Sequence, residues 1–180
     1  MINRFAAACA LVASLLVSPA ATQTLGKQKP CDGPVTTIII VRHADRAGTA
    51  DSLSAAGQKR AQDLAEATKM ATLRAIYVSD TRRARDTALP AAALANVMPE
   101  TYPAQECAAL IQRILHDHRG QAVLVVGHSN TVPLLIAEAG GPKIADLDEK
   151  EFDGLFVVAV TGTPECGATL VRLQYGAPSP

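Results

Sequence analysis

The sequence has 180 residues, 48% of them hydrophobic and 19% charged, which is typical of one globular domain and unlike a disordered chain. Lysine and arginine together number 17, as do aspartate and glutamate, so the net charge gives no reason to expect binding to nucleic acid or to an anionic membrane. Any attraction for an anion must come from a local cluster of basic residues.

The first residues have the pattern of a secretory signal peptide. Arg4 supplies a positive charge, residues 5–17 are almost entirely apolar, and Ser18-Pro19-Ala20 offers small residues for cleavage. The apolar stretch is shorter than the ~20 residues of a membrane-spanning helix, so we expect export to the periplasm or the exterior and no membrane contact after cleavage. A retained N-terminal anchor is the alternative. The predicted organisation is a signal peptide over 1–20, a flexible leader over 21–34 and one domain over 35–177.

Apolar runs alternate with segments of helical periodicity along the rest of the chain. The predicted strands are Thr36–Val41, Ala75–Ser79, Val97–Tyr102, Ala122–Val126, Leu155–Val160 and Thr169–Tyr175. The predicted helices are one capped by Ser54, followed by Arg82–Ala95, Gln105–His118 and Thr131–Ala139. Pro90 favours an early end or a kink in the second helix, and Pro99 makes the third strand a poor central strand. The order predicts a three-layer α/β/α sandwich with a mostly parallel sheet and a C-terminal antiparallel hairpin.

Basic residues follow three of the predicted parallel strands. Val41-Arg42-His43-Ala44-Asp45 ends the first strand, Val126-Gly127-His128-Ser129-Asn130 ends the fourth, and Ser79–Ala88 leads from the second strand into a helix. Ligands of open α/β sheets bind beyond the carboxyl ends of the strands, and helix N-termini suit anions. Because arginine pairs bidentately with phosphate oxygens, the sequence predicts a phosphate-binding crevice at this rim.

These segments resemble the histidine phosphatase superfamily, which includes phosphoglycerate mutases and many small phosphatases. The matching motifs are Val41-Arg42-His43-Ala44, Arg83-Ala84-Arg85-Asp86-Thr87-Ala88 and Gly127-His128-Ser129-Asn130-Thr131. The likeness runs from about Thr36 to Gly176 and includes Leu53-Ser54-x-x-Gly57 and Leu173-Gln174-Tyr175-Gly176. It implies a phosphoglycerate mutase-like fold.

The resemblance also implies a phosphatase that acts without a metal or another cofactor on a small phosphorylated substrate. His43 would attack phosphorus and become phosphohistidine, and neighbouring arginines would keep its imidazole unprotonated. Arg42, Arg83 and His128 would hold the equatorial oxygens and stabilise the charge of the transition state. In the second motif the matching arginine is Arg83, and we interpret Arg82 as a solvated helix charge.

The residue that would protonate the leaving group is not identified by the sequence. Ser129 stands directly after the second histidine, where some relatives have an acidic residue. Asp45, Asp80, Glu100 and Glu106 remain as candidates, with Asp45 the first choice. A phosphoramidate or an anhydride would not require such an acid, because its leaving group is good.

Two other functions remain open at this point. The first is a non-catalytic periplasmic module that binds phosphate or another anion, and the second is a phosphatase of protein phosphohistidine, which the predicted export signal disfavours. A mutase is less expected because the chain is short. We interpret His116-Asp117-His118 as a helix end rather than a metal site, since no second cluster of ligands accompanies it.

Three cysteines would remain after cleavage of the signal peptide, namely Cys31, Cys107 and Cys166. Cys31 precedes the first predicted strand, and Cys166 lies in the turn between the last two. If the strand ending at Val160 runs antiparallel to the first strand, both cysteines lie at the end of the sheet opposite the crevice. We therefore predict a Cys31–Cys166 disulfide, with unpaired thiols as the alternative.

Overall fold

The computed structural model describes residues 32–179. The predicted signal peptide and Cys31 lie outside this range. The signal peptide and the pairing of Cys31 with Cys166 therefore stay predictions. Between residues 32 and 179, no helix combines the length and the apolar character needed to cross a membrane. Cys107 is a buried free thiol, whereas Cys166 is disulfide-bonded.

Six strands and four α-helices alternate over most of this range. The strands are β1 (Val35–Arg42), β2 (Leu73–Ser79), β3 (Glu100–Tyr102), β4 (Ala122–Gly127), β5 (Gly154–Thr161) and β6 (Ala168–Gln174). The helices are α1 (Ala55–Thr68), α2 (Arg82–Ala95), α3 (Cys107–Asp117) and α4 (Thr131–Glu138), and a short 3₁₀ helix (Pro164–Cys166) lies between β5 and β6. The predicted α/β fold is confirmed.

The strands form one mixed sheet in the order β3-β2-β4-β1-β5-β6. β1, β2, β3 and β4 run parallel, β5 is antiparallel to β1, and β6 is antiparallel to β5. The expected antiparallel relation between β5 and β1 is therefore confirmed. Because β2, β4 and β1 are neighbours, their carboxyl ends, at Ser79, Gly127 and Arg42, lie side by side at one edge of the sheet.

Alternate residues of β1 pack into two different cores. Ile38 and Ile40 belong to a cluster that includes Ile111 of α3 and Leu135 of α4. Ile39 and Val41 belong to a second cluster, which contains apolar residues of α1 and α2. The sheet is thus covered by helices on both faces, which explains why β1 reads as a continuous apolar run rather than an alternating one.

The helix α2 differs from one sequence expectation. It continues through Pro90 to Ala95 and does not end early. Proline removes one intrahelical hydrogen bond, but Ala91 and Ala92, which follow it, are buried in the core between α2 and the sheet. Their packing holds the last turn in the helix, which then ends at Asn96 in the left-handed conformation.

The third strand is also shorter than predicted. Residues 97–99 are not part of it, and β3 contains only Glu100–Tyr102 at the edge of the sheet. Pro99 was expected to disfavour a central position for this strand, and the position of β3 at the edge of the sheet agrees with that expectation.

Candidate functional site

The two predicted site histidines meet at the carboxyl ends of β1 and β4. Arg42 and Gly127 are register partners in this parallel pair, and the backbone N–H of His43 donates to the carbonyl of Gly127 at 2.9 Å. The ring centroids of His43 and His128 are 5.3 Å apart, with the rings 65° from parallel. The sheet therefore places two imidazoles, distant in sequence, within the span of one small anion.

The tautomer of His43 follows from its hydrogen bond. Nδ1 lies 2.9 Å from the carbonyl oxygen of Ala44, which can only accept, so Nδ1 carries the proton and Nε2 keeps its lone pair. The residue is 4% exposed. The pKa of His43 is lowered to about 3, mainly by burial and in smaller part by the charges of Arg83 and Arg42, against the opposing hydrogen bond to Ala44. His43 is thus a neutral imidazole at neutral pH.

The second histidine is held from two sides. Its Nε2 lies 2.9 Å from the hydroxyl of Ser79, at the end of β2, and its backbone N–H donates to Thr131 Oγ1 at 2.7 Å. Burial lowers the pKa of His128, as does the charge of Arg83, while the charge of Asp80 opposes this shift. Its Nδ1 is buried without a hydrogen-bond partner among the described residues.

Arg42 is anchored by the segment 148–152, which precedes β5. Its Nη1 donates to the carbonyls of Asp148, Glu149 and Glu151 at 2.8–3.0 Å, and its Cζ lies 4.2 Å from the centroid of the Phe152 ring. The Phe152 ring also lies 6.0 Å from that of His43. This segment was not predicted as part of the site, because it carries no motif and joins the site only through the fold.

Arg83, in the first turn of α2, is held by a carboxylate from the loop after β1. Its Nη1 donates to Asp51 Oδ1 at 2.8 Å. Thr87, one turn later, donates its hydroxyl to the Arg83 carbonyl at 2.7 Å and accepts the backbone N–H of Ala44 at 2.9 Å. Thr87 therefore ties α2 to the segment that carries His43.

Three buried polar atoms of this cluster have no hydrogen-bond partner among residues 32–179, namely Arg42 Nε, Arg83 Nε and His128 Nδ1. Each arginine uses Nη1 for the protein itself. On a guanidinium, Nε and Nη2 form one edge that suits the paired oxygens of a phosphate. Because unpartnered buried donors are costly, their presence beside two arginine charges favours an anion-binding site.

The four candidates for the general acid have different surroundings. Asp45 accepts from Arg60 Nε at 2.6 Å, and Glu100 pairs with Arg113. Glu106 occupies the N-cap position of α3 and is exposed. Asp80 acts on His128 through its charge. Asp45 anchors the loop after β1 through its ion pair with Arg60. This contact argues against Asp45 as the first choice for the general acid.

The histidines near the end of α3 serve other contacts. His118 Nε2 lies 2.9 Å from the hydroxyl of Tyr77, and His116 Nδ1 lies 2.7 Å from Asp117. Within residues 32–179, no group of three histidine, cysteine or acidic side chains is placed to hold a metal ion.

Comparison with known proteins finds a family model that is similar to part of the chain. The model of the Histidine phosphatase superfamily (branch 1) matches residues 38–105, a range that contains Arg42, His43 and Arg83 and ends before His128. The chain matches none of the curated proteins.

Solved structures of low sequence identity share the fold. The protein histidine phosphatase SixA, complexed with tungstate, is 19% identical with a TM-score of 0.61, over 77% of this chain and 96% of that chain. A mycobacterial glucosyl-3-phosphoglycerate phosphatase is 15% identical with a TM-score of 0.58, over 79% and 99%. A phosphoglycerate mutase from Bacillus anthracis str. Sterne is 14% identical with a TM-score of 0.58, over 81% and 95%. At such identities the likeness shows the fold alone.

Proposed function

We propose that this chain is a member of the histidine phosphatase superfamily and hydrolyses phosphomonoesters or related phosphoryl compounds through a phosphohistidine on His43. The match of residues 38–105 to the model of that superfamily (branch 1) supports the proposal. The activity is that of a metal-independent phosphoric monoester hydrolase. The observation that carries the proposal is the pair of neighbouring imidazoles of His43 and His128, beside which Nε of Arg42 and Nε of Arg83 are buried donors without a partner among residues 32–179.

In the first step, the lone pair of His43 Nε2 attacks phosphorus. An N–P bond forms, and the bond from phosphorus to the leaving group breaks with its electron pair going to the leaving group. The hydrogen bond from Nδ1 to Ala44 orients the ring for this attack. Arg42 and Arg83 donate to the equatorial oxygens and stabilise the charge that they carry in the transition state.

In the second step, water attacks the phosphohistidine. A new P–O bond forms, the N–P bond breaks, and Nε2 recovers its lone pair, while a proton of the water passes to phosphate or solvent. If Ser79 donates its hydroxyl to Nε2 of His128, then His128 Nδ1 carries a proton and can donate to a phosphoryl oxygen throughout both steps.

The direct test is phosphate release by the purified protein from p-nitrophenyl phosphate, followed by a panel of phosphorylated metabolites. Turnover that depends on His43 supports the proposal. Tight binding of phosphate or tungstate without turnover would instead support the alternative of a non-catalytic periplasmic anion-binding module.

A phosphohistidine phosphatase is the second candidate. It is supported by the fold shared with SixA, a protein histidine phosphatase, and by Asp45, which binds Arg60 and so offers little as a proton donor. When the P–N bond of a phosphohistidine breaks, the electron pair goes to the imidazole, which leaves as a neutral ring once its other nitrogen is protonated from solvent. Its departure therefore depends less on an acid of the enzyme. A phosphohistidine peptide included in the substrate panel, and hydrolysed faster than the esters, would favour this function.

The buried state of His43 predicts a pH dependence of stability. Its pKa is about 3 in the fold and 6.5 as the ordinary value. Between these pH values the unfolded chain binds a proton at His43 that the folded chain does not bind. The contribution of the neutral His43 to the free energy of unfolding is therefore complete above pH ~6.5. It is lost as the pH falls below that value, by up to ~1.4 kcal/mol per pH unit. Denaturant unfolding from about pH 4 to about pH 6 measures the slope. The His43→Gln variant should show a shallower slope by about one proton, and equal slopes would contradict the assignment.

We also propose that the protein is exported and that Cys166 pairs with Cys31. A Cβ on Gly33, two residues after Cys31, would lie 3.6 Å from Cα of Gly162, four residues before Cys166. This proximity of the two segments supports the pairing. Peptide mapping without reductant should recover the linked peptides. Cys31→Ser and Cys166→Ser should each lower the free energy of unfolding by about 2–4 kcal/mol. The double variant should lose no more than either single one, and additive losses would exclude this disulfide.

A further inference from the structure

Asp51 makes three hydrogen bonds to the start of α2. Its carboxylate accepts the backbone N–H of Arg82 at 2.9 Å, the backbone N–H of Arg83 at 3.3 Å and Nη1 of Arg83 at 2.8 Å. The backbone N–H of Arg82 is the largest cause of a lowered pKa of Asp51, with smaller contributions from Arg83. The side chain is therefore an anion fixed at the N-terminus of α2, although half of it is exposed.

The loop that carries Asp51 is closed at its base. Arg46 and Leu53 form an antiparallel bridge, and the backbone N–H of Ala47 donates to the carbonyl of Ser52 at 2.9 Å. Below the bridge, the backbone N–H of Ser54 donates to the carbonyl of Asp45 at 2.9 Å. These contacts determine where the Asp51 carboxylate stands relative to α2.

The base of the loop also requires a close approach to α1. A Cβ on Gly57 would lie 2.1 Å from the Asp45 carbonyl oxygen, so only glycine allows the first turn of α1 to meet the loop here. The Asp45 carboxylate is bound in turn by Arg60 of the same helix. The loop is thus fixed to α1 at one end and to α2, through Asp51, at its tip.

This arrangement has a consequence for the guanidinium of Arg83. Asp51 occupies Nη1, while Nε is buried and unpartnered. The charge of Arg83 lowers the pKa of both His43 and His128, so the guanidinium lies close to both imidazoles. Arg42 is similar in that backbone carbonyls fix its Nη1 and its Nε is unpartnered, while its Nη2 lies 3.7 Å from a carboxylate oxygen of Glu149.

We propose that Asp51 is a positioning residue, which holds Arg83 by Nη1 so that its Nε–Nη2 edge faces the phosphoryl group bound by His43 and His128. This inference rests on the proposed function and deepens it. Asp51 contacts Arg83 and acts through it. Arg42 is held in a comparable way, because its Nη1 donates to backbone carbonyls of the segment 148–151.

The test is a double-mutant cycle between Asp51 and Arg83, measured by kcat and KM for p-nitrophenyl phosphate and by tungstate affinity in calorimetry. Asp51→Ala should lower kcat/KM about tenfold and weaken tungstate binding to a similar degree, whereas in the Arg83→Ala background it should change either by less than about twofold. Asp51→Asn, which keeps an acceptor oxygen for Nη1, should recover part of the loss. Asp117→Ala, which removes an exposed carboxylate near the end of α3, is the matched control.

Thermal unfolding separates positioning from a merely structural role. Asp51 also accepts two backbone N–H groups of α2, so its loss should lower Tm equally in both backgrounds. Equal activity losses in both backgrounds would overturn the proposal. Tighter tungstate binding by Asp51→Ala would also overturn it, because Asp51 would then compete with the anion. If the wild-type protein releases no phosphate, the proposed function fails, while tungstate affinity still decides the role of Asp51.

Discussion

Replacing His43 with alanine is expected to reduce phosphate release from p-nitrophenyl phosphate by roughly 10⁴-fold or more. The variant loses Nε2, the atom that forms the covalent intermediate, and Nε2 of the neighbouring His128 is engaged with Ser79. Rapid acid-free quenching and intact-protein mass measurement should detect one phosphoryl group on the wild-type protein and none on this variant.

His116→Ala is the matched control for this experiment. His116 is almost fully exposed at the end of α3 and pairs with the neighbouring Asp117, so its loss should leave kcat and KM unchanged. A His43→Ala variant that folds and keeps a tenth or more of the wild-type activity would remove His43 from the mechanism. Such a variant would have lost no more than about 1.4 kcal/mol of transition-state stabilisation.

Replacing Arg83 with alanine should lower kcat/KM by roughly 10²- to 10³-fold. The guanidinium is expected to donate to the phosphoryl oxygens in both the bound substrate and the transition state, so KM should rise and kcat should fall. The loss of its positive charge should also raise the pKa of His43, because that charge contributes to the present lowering. Steady-state kinetics together with NMR titration of the His43 ring measures both effects.

Arg82→Ala provides the comparison within the same helix turn. The Arg82 side chain is 72% exposed and pairs with Asp86 one turn later, and only its backbone contacts Asp51. We expect less than about a twofold change in kcat/KM, consistent with the small energies of exposed ion pairs. A larger loss in Arg82→Ala than in Arg83→Ala would reverse the assignment of the phosphate-binding arginine.

The strands with continuous apolar sequence were predicted within two residues of their observed bounds, as β1 and β4 show. Burial on both faces demands apolar residues at every position, and this demand is visible in the sequence. The edge strand β3 was overpredicted, since its few pairings with β2 leave little pattern. The bounds predicted for α2, Arg82–Ala95, are confirmed. Of the two effects considered for Pro90, an early end does not occur, because tertiary packing of the residues after Pro90 outweighs one lost hydrogen bond.

The site shows the same division between local and tertiary information. Arg42, His43, Arg83 and His128 were selected as candidates because each stands in a short motif at the end of a strand or the start of a helix. The residues that hold them were not recognised. Asp51 holds Arg83 only because the fold brings its loop to the start of α2. The segment 148–151 holds Arg42 through backbone carbonyls. Every residue has such a carbonyl, so the sequence does not show which of them will bind an arginine.

The sequence by itself determined the order of strands and helices and the residue types offered to a phosphate, because periodic burial and short motifs are written in neighbouring residues. Only the tertiary structure decided that His43 presents Nε2 and that Nε of Arg42 and Nε of Arg83 have no hydrogen-bond partner among residues 32–179. These features depend on hydrogen bonds and ion pairs between segments far apart in the chain, and such pairings are fixed by the packing of α1, α2 and the segment before β5 around one edge of the sheet.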